Sequence, residues 1–342
     1  NITNANSMNV DISSTGHGVY LAGNSAFNVR SGGDMNMKLS SFGDALHTTE
    51  YMTGETSRTS IHADGRLTLN INSGYDPQLT SMGIVTNASD GVAETIITAN
   101  GGMNLDISAG YMAIDTSGNS NARLHIESYG DHEDLITITG QISASAGRNE
   151  IFTNEGDDRL SIAGDLTTIY GGVNDIRMGD GADRLEISGG RITSEGGINR
   201  IDMGSGADTL EITADLQAFN APFTSSPGSI QIDMGSGDVL LVRRGSTLTA
   251  TGGSSITLDG GAGFDVLEYH YSDMAALQSL ADASSGISNF ERLVLDFGDG
   301  SSDSLDLDSL MAGLGGVVDN LSGSEIGIKG DAADSLNVTG AG

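Results

Sequence analysis

The sequence predicts an all-β chain wound into a parallel β-helix, or β-solenoid. Three observations carry this: a phrase that returns at a nearly fixed interval, short runs in which apolar and polar residues alternate, and glycines between the runs. The phrase is clearest in Gly156-Asp157-Asp158-Arg159-Leu160-Ser161-Ile162, Gly181-Ala182-Asp183-Arg184-Leu185-Glu186-Ile187 and Gly206-Ala207-Asp208-Thr209-Leu210-Glu211-Ile212. Its aspartates Asp158, Asp183 and Asp208 stand 25 residues apart; Asp238 and Asp265 follow after 30 and 27, and Asp134 precedes by 24. A β-sandwich accounts for the alternation but not for this echo.

One coil parses directly into three short strands. Asn174 to Met178 alternates as the first, Gly179 to Ala182 turns, Asp183 to Ser188 is the second, Gly189-Gly190 turns again, and Arg191 to Glu195 is the third before Gly196-Gly197. Three legs of this length make a coil of about 25 residues and roughly triangular section, stacked about 4.8 Å from the next along the axis. Side chains alternate across a strand, so Ile176, Met178, Leu185, Ile187 and Ile192 face a dry aliphatic interior while Arg177, Arg184 and Glu186 face water. Between Thr213 and Ser229 the coil is longer, and Pro222 and Pro227 cannot occupy a central strand, so a lateral loop is expected there.

The first part of the chain carries a related strand at Met8 to Ser13, Met35 to Ser40, Leu67 to Asn72 and Met103 to Ser108, at spacings of 27, 32 and 36. There the position of Asp183 is taken by Met8, Met35, Leu67 or Met103, so the same solenoid is expected with longer corners and without an acidic turn. This divides the chain into irregular coils over 1–130, regular coils over 131–270, and a capping region over 271–342. In the last, Ser272 to Ala283 has the cap and apolar stripe of a short helix, with Leu307 to Leu314 a weaker one.

Charge narrows what the chain can bind. There are 46 acidic and 15 basic side chains, a net charge of −31, which repels nucleic acid and anionic lipid. Carboxylates stacked at coil spacing also repel one another unless cations lie among them, which points to a divalent ion. With no Cys, neither disulfides nor thiolate metal sites are possible. No apolar run is long enough to span a membrane, and the opening Asn1-Ile2-Thr3-Asn4 reads as the start of an excised segment.

Gly260-Gly261-Ala262-Gly263-Phe264-Asp265-Val266-Leu267-Glu268 resembles, at every specified position, the nine-residue Gly-Gly-x-Gly-x-Asp-x-apolar-x repeat of the repeats-in-toxin (RTX) family. Degenerate copies end at Asp183 (with Asp180 inside the turn), Asp208 and Asp238, and a late copy contains Asp331 and Asp334. Glycine lets a tight backbone turn its carbonyls toward a hard cation, and aspartate adds charge and a ligand oxygen. The resemblance implies calcium held by Asp158, Asp180, Asp183, Asp208, Asp238, Gly261, Gly263, Asp265, Asp331 and Asp334. The family completes a coil with two such repeats; here each coil carries one. The order Gly286 to Leu293, Asp303 to Leu310, Ile328 to Val338 is similar to the C-terminal region of large RTX adhesins exported by type I secretion.

Catalytic signatures are thin. The histidines His17, His47, His62, His125, His132 and His270 show no metal-ligand spacing, and His-Glu-x-x-His and Gly-x-Ser-x-Gly are both missing. Ser73 to Gln78 resembles a catalytic stretch of alginate epimerases but lacks the His after Pro77. The reading is therefore a calcium-binding structural and adhesive segment of a secreted bacterial cell-surface protein of RTX type, of the kind found in biofilms, folding outside the cell. Its expected partners are calcium and an extracellular polysaccharide or protein, without nucleic acid and without membrane insertion. The alternatives are a β-helix polysaccharide lyase or epimerase and a self-assembling surface-layer unit.

Overall fold

The computed structural model describes residues 1–15, 17–50, 52, 54–74, 81–221, 226–243, 246–270, 284–296, 304–306, 325–329 and 335–337. Strands stack in parallel from coil to coil as a β-solenoid. One face is an 11-stranded sheet with one strand per coil, running from Ile2–Asn4 through Ala122–Ser128, Arg148–Phe152, Val173–Gly181 and Ile198–Gly206 to Ile287–Ser288. The other two faces alternate along the rest of each coil, as in Met35–Ser41 followed by Leu46–Glu50.

Arg148–Phe152, Arg159–Ala163 and Leu166–Ile169 are three separate strands to the coil, as expected, whereas in the next coil the strands are longer than the corners in the sequence indicate. Val173–Gly181 continues through the expected turn, and Arg184–Glu195 spans the expected second and third strands with a register shift between Ser188 and Gly190. In that coil the backbone thus keeps its ladder while bending, and the three faces survive as bends in two long strands. The longer coil between Thr209–Phe219 and Ser229–Asp233 does leave the ladder near Ala221, whose N–H donates to Ser226 O (2.9 Å). Pro222 lies outside the described residues, as do Ser272 to Ala283 and Leu307 to Leu314, the two expected helices; Ser284–Gly286 is a single 3-10 turn.

Side-chain alternation puts one continuous aliphatic core along the axis. Ile97, Ile126, Ile151, Ile176, Ile201 and Ile232 stand over one another in register, all at most 2% exposed. The residues read as inward, Ile176, Met178, Leu185, Ile187 and Ile192, are all buried, and Arg177 and Arg184 are exposed. Burying each such aliphatic side chain contributes about 1.5–3 kcal/mol, and the contribution repeats at every rung.

The interior is not purely aliphatic. At one corner Asn149, Asn174 and Asn199 form a buried ladder in which each Nδ2 donates to the next Oδ1 at 2.8 Å. In the irregular coils Thr48, Thr59, Thr86 and Thr95 form a buried hydroxyl cluster, with Thr48 and Thr59 Oγ1 atoms 2.7 Å apart. Polar side chains are tolerated there because they bond to one another along the stack.

Candidate metal centre

Strand register places one column of side chains at the start of the second face. Met8 pairs with Met35, Met35 with Leu67, and Leu67 with Met103. The next rungs in the same column are Asp134, Asp158, Asp183, Asp208, Asp238 and Asp265, each one residue before a strand whose partners are in register. The column changes from apolar to acidic at Asp134, as the sequence comparison of Asp183 with Met8, Met35, Leu67 and Met103 anticipates.

Backbone hydrogen bonding changes at the same place. In the apolar rungs the column residue's N–H donates to a main-chain carbonyl of the following coil: Met8 to Asp34 O (2.9 Å), Met35 to Arg66 O (2.8 Å) and Leu67 to Gly102 O (3.0 Å). From Met103 onward the acceptor is a carboxylate. Met103 N–H donates to Asp134 Oδ1 (2.6 Å), Asp134 to Asp158 (2.8 Å), Asp158 to Asp183 (2.8 Å), Asp183 to Asp208 (2.8 Å), Asp208 to Asp238 (2.7 Å) and Asp238 to Asp265 (2.7 Å). Glu291 Oε2 continues the series by accepting from Asp265 N–H at 2.7 Å.

These carboxylates are enclosed, with no more than 2% of any of the six aspartates exposed. Oδ1 is used at every rung, and Oδ2 of all six is buried without a hydrogen-bond partner. Repetition of this orphan six times is itself the finding, since buried carboxylate oxygens are ordinarily satisfied. Burial pushes the carboxyls up, to about 7 for Asp158 and Asp208 and about 6 for Asp183 and Asp238, against the opposing pull of the N–H each accepts. Asp134 and Asp265 are raised for the same reason. Neighbouring carboxylates of the column raise Asp158, Asp208 and Asp238 further. Burial of these oxygens favours protons or cations on Oδ2, and carboxylate oxygens are the donors that hard cations take.

The glycine corners above the column are close-packed. Gly206 has φ +150°, and a Cβ there would overlap the carbonyl oxygen of Gly181 one coil earlier. Gly261 (φ +90°) would likewise overlap Gly235 O, and at Gly263 (φ +121°) a Cβ would lie 2.9 Å from Gly237 N. Glycine at these points is what lets consecutive turns nest at rung spacing. Asp265 Oδ1 accepts a second N–H, from Gly237 (2.8 Å), so the complete nine-residue motif binds its neighbour twice.

Of the residues read as calcium ligands, Asp158, Asp183, Asp208, Asp238 and Asp265 come together in this column. Asp180 does not: its side chain is exposed and accepts from Ser205 Oγ on the outside of the turn. Gly261 and Gly263 shape the corner beside Asp265, while Asp331 and Asp334 lie outside the described residues. Asp134 and Glu291 extend the column at its two ends. Asp134 carries the repeat spacing, at 24 residues from Asp158; Glu291 lacks the glycine corner that marks the others.

A second charged group covers the outer surface of the first face. Arg123 Nε donates to Glu150 Oε2 (2.6 Å), His125 lies between Glu150 (3.0 Å) and Glu127 (2.8 Å), and Arg148 and Arg177 both reach Asp175 (2.8 and 3.0 Å). Despite burial, hydrogen bonds from His125 and Arg123 hold the Glu150 carboxyl at about 2, and Glu127 is also lowered. A carboxylate pair for acid and base work needs the two groups split, one raised and one low. Here both are held ionised, which is the behaviour of a salt-bridge network. Tyr129 is pushed up to about 12 by its hydrogen bond to Glu127, so its hydroxyl stays protonated near neutral pH.

The fold and site define a class: a parallel β-solenoid carrying a buried acidic column on one part of its length. Comparison with family models, with curated proteins and with solved structures finds no match for this chain.

Proposed function

We propose that this chain is a rod-like structural and adhesive segment of a secreted, RTX-type bacterial surface protein, whose acidic coils are completed by calcium outside the cell. The observation that carries the reading is the series of six buried Oδ2 atoms without partners. Rungs about 4.8 Å apart are separated by roughly twice a calcium–oxygen bond, so an ion between two rungs is within reach of both. Asp134, Asp158, Asp183, Asp208, Asp238 and Asp265 are the residues that would hold it. A net charge of −31 supports the same reading, because the metal-free coils repel themselves and calcium removes the repulsion where the carboxylates are densest.

Extracellular calcium modules bind at roughly 10⁻⁴ to 10⁻³ M, well above cytosolic calcium levels. A chain of this kind stays expanded during export and folds on arrival, and the rod then holds whatever it displays at a distance from the cell. The polysaccharide-lyase or epimerase reading has less behind it, since the charged group around Glu150 is paired internally. The surface-layer reading has no observation among the described residues in its favour.

The test is a thermal melt followed by circular dichroism at pH 8, in chelator and in about 10 mM calcium, a concentration some 10–100 times the affinity expected of such a module. Binding at that ratio contributes about 1.4–2.7 kcal/mol per occupied site, so the melting temperature rises by several degrees or more. An identical melt in both conditions removes calcium from the proposal.

A further inference from the structure

In the irregular coils, far from the acidic column along the chain, the fold brings two histidines and an aspartate together from adjacent coils. We propose that His17, Asp44 and His47 form a second metal site, for a borderline transition ion such as zinc, distinct in chemistry from the acidic column and independent of the calcium reading.

The backbone ladder sets the juxtaposition. Gly18 N–H donates to Asp44 O (2.9 Å) and Val19 N–H to Ala45 O (3.0 Å), which locks the residue after His17 against the coil that carries Asp44. Val19–Ala22 then pairs with Leu46–Glu50, placing Tyr20 beside His47 in register. Asp44 Oδ2 lies 2.7 Å from His47 Nδ1 and 3.4 Å from His17 Nδ1. One ligand atom from each of the three lies within 4.8 Å of the others.

The donor set, two imidazoles and one carboxylate, discriminates by softness. Calcium takes oxygen ligands, whereas imidazole nitrogens with a carboxylate suit zinc and its neighbours. Metal–ligand bonds of about 2.0–2.2 Å in a tetrahedron put ligand atoms about 3.4 Å apart. Asp44 Oδ2 and His17 Nδ1 already stand at that separation, where His17 Nδ1 now accepts the Asp44 N–H (3.2 Å), a bond a metal would replace; the His47 contact is that of a hydrogen bond, whose shared proton a metal would displace. Asp44 Oδ1 is meanwhile fixed by Met82 N–H of a third coil (3.2 Å), the outer-shell support that orients a ligating carboxylate.

Exposure is graded as a metal site requires. The Asp44 side chain is 9% exposed, His47 17% and His17 50%, so the site has a buried anchor and one open side for a water or a further ligand. The Tyr20 ring lies tilted against both imidazoles, with centroids 5.3 Å from His17 and 4.7 Å from His47. A comparable group, Glu268, His270 and Asp296, has Arg243 Nη1 2.9 Å from His270 Nε2, a cation where a metal would have to sit.

The experiment uses the full chain, stripped with chelator and dialysed, with Zn²⁺ titrated calorimetrically in the presence of excess calcium and Co²⁺ added as a spectroscopic probe. One equivalent of zinc and a four-coordinate Co²⁺ spectrum are expected, unaffected by calcium. His17→Ala, at the exposed ligand, and His47→Ala should each weaken zinc by at least about tenfold, with the circular dichroism spectrum unchanged. His270→Ala should bind as the parent does. Failure of the parent to take up zinc or cobalt overturns the proposal, as does parent-like binding by both His17→Ala and His47→Ala. A calcium-insensitive melt with intact zinc binding would overturn the calcium reading and leave this site standing.

Discussion

One column of side chains runs through both halves of this molecule and does opposite chemistry in each. At Met8, Met35, Leu67 and Met103 it adds apolar surface to the core, and three of these N–H groups bond to main-chain carbonyls of the following coil. From Asp134 to Asp238 the carboxylate of the next aspartate takes the place of that carbonyl as the acceptor. The lesson is that a carboxylate here has a backbone role first; Oδ1 completes the ladder, and only Oδ2 is left to interact with something else.

The sharpest way to probe this contrast is pH without metal. All six column aspartates are raised by burial from an ordinary value of 3.8, Asp158 and Asp208 to about 7 and Asp183 and Asp238 to about 6, so the protonated form is the one the fold favours. That contribution is fully present below pH 3.8 and is lost as pH rises through 6 to 7. In chelator the protein should therefore melt higher at pH 5 than at pH 8, the difference summing over the column, and calcium should close the gap from the pH 8 side. A metal-free melting temperature that rises from pH 5 to pH 8 would contradict the burial of these groups.

A single graft comes next in size. Leu67→Asp puts a carboxyl into an apolar rung where Met35 N–H already donates to Arg66 O, so neither new oxygen has a waiting donor. A loss of about 2–7 kcal/mol is expected from denaturant unfolding, with no rescue by calcium. The smallest effect is Asp208→Asn. Its Oδ1 still accepts from Asp183 N–H while the charge disappears, so at pH 8 in chelator the variant should be more stable than the parent by about 1 kcal/mol. In calcium the order should reverse, because one ligand charge is gone. Equal stabilities in both conditions would separate the column from any ion.

Much of this was legible in the residues. The 25-residue recurrence of Asp158, Asp183 and Asp208 gives the coil, parity gives the inward set around Ile176 and Leu185, and the alignment of Leu67 with Asp183 gives the switch in the column. What alternation does not encode is bending. Arg184–Glu195 continues through Gly189-Gly190 because a corner glycine bends a ladder without breaking it. Parity alone also does not separate Asp180, which faces water, from Asp183, three residues on and across the corner.

Other features were hidden for identifiable reasons. The Asn149, Asn174 and Asn199 ladder has the same 25-residue signal as the aspartates, but Asn at the head of a repeat reads equally as a turn residue. His17 and Asp44 lie 27 residues apart, in coils whose irregular spacing gives sequence no frame in which to superpose them. Only the register of Val19–Ala22 on Leu46–Glu50 makes them neighbours.

The direction of the carboxylate ladder gives assembly a sense. From Met103 to Asp265 each N–H in the column is closed by a side chain belonging to the coil that follows, so along this one line every rung is finished by its successor. Added one at a time from the N-terminal side, the coils carry in this column one N–H still to be closed at the leading rung, beside the open edges of their strands, and it passes forward as each new aspartate arrives. In that order of winding the newest turn is the weakest, until Glu291, with its longer arm, takes up the N–H of Asp265.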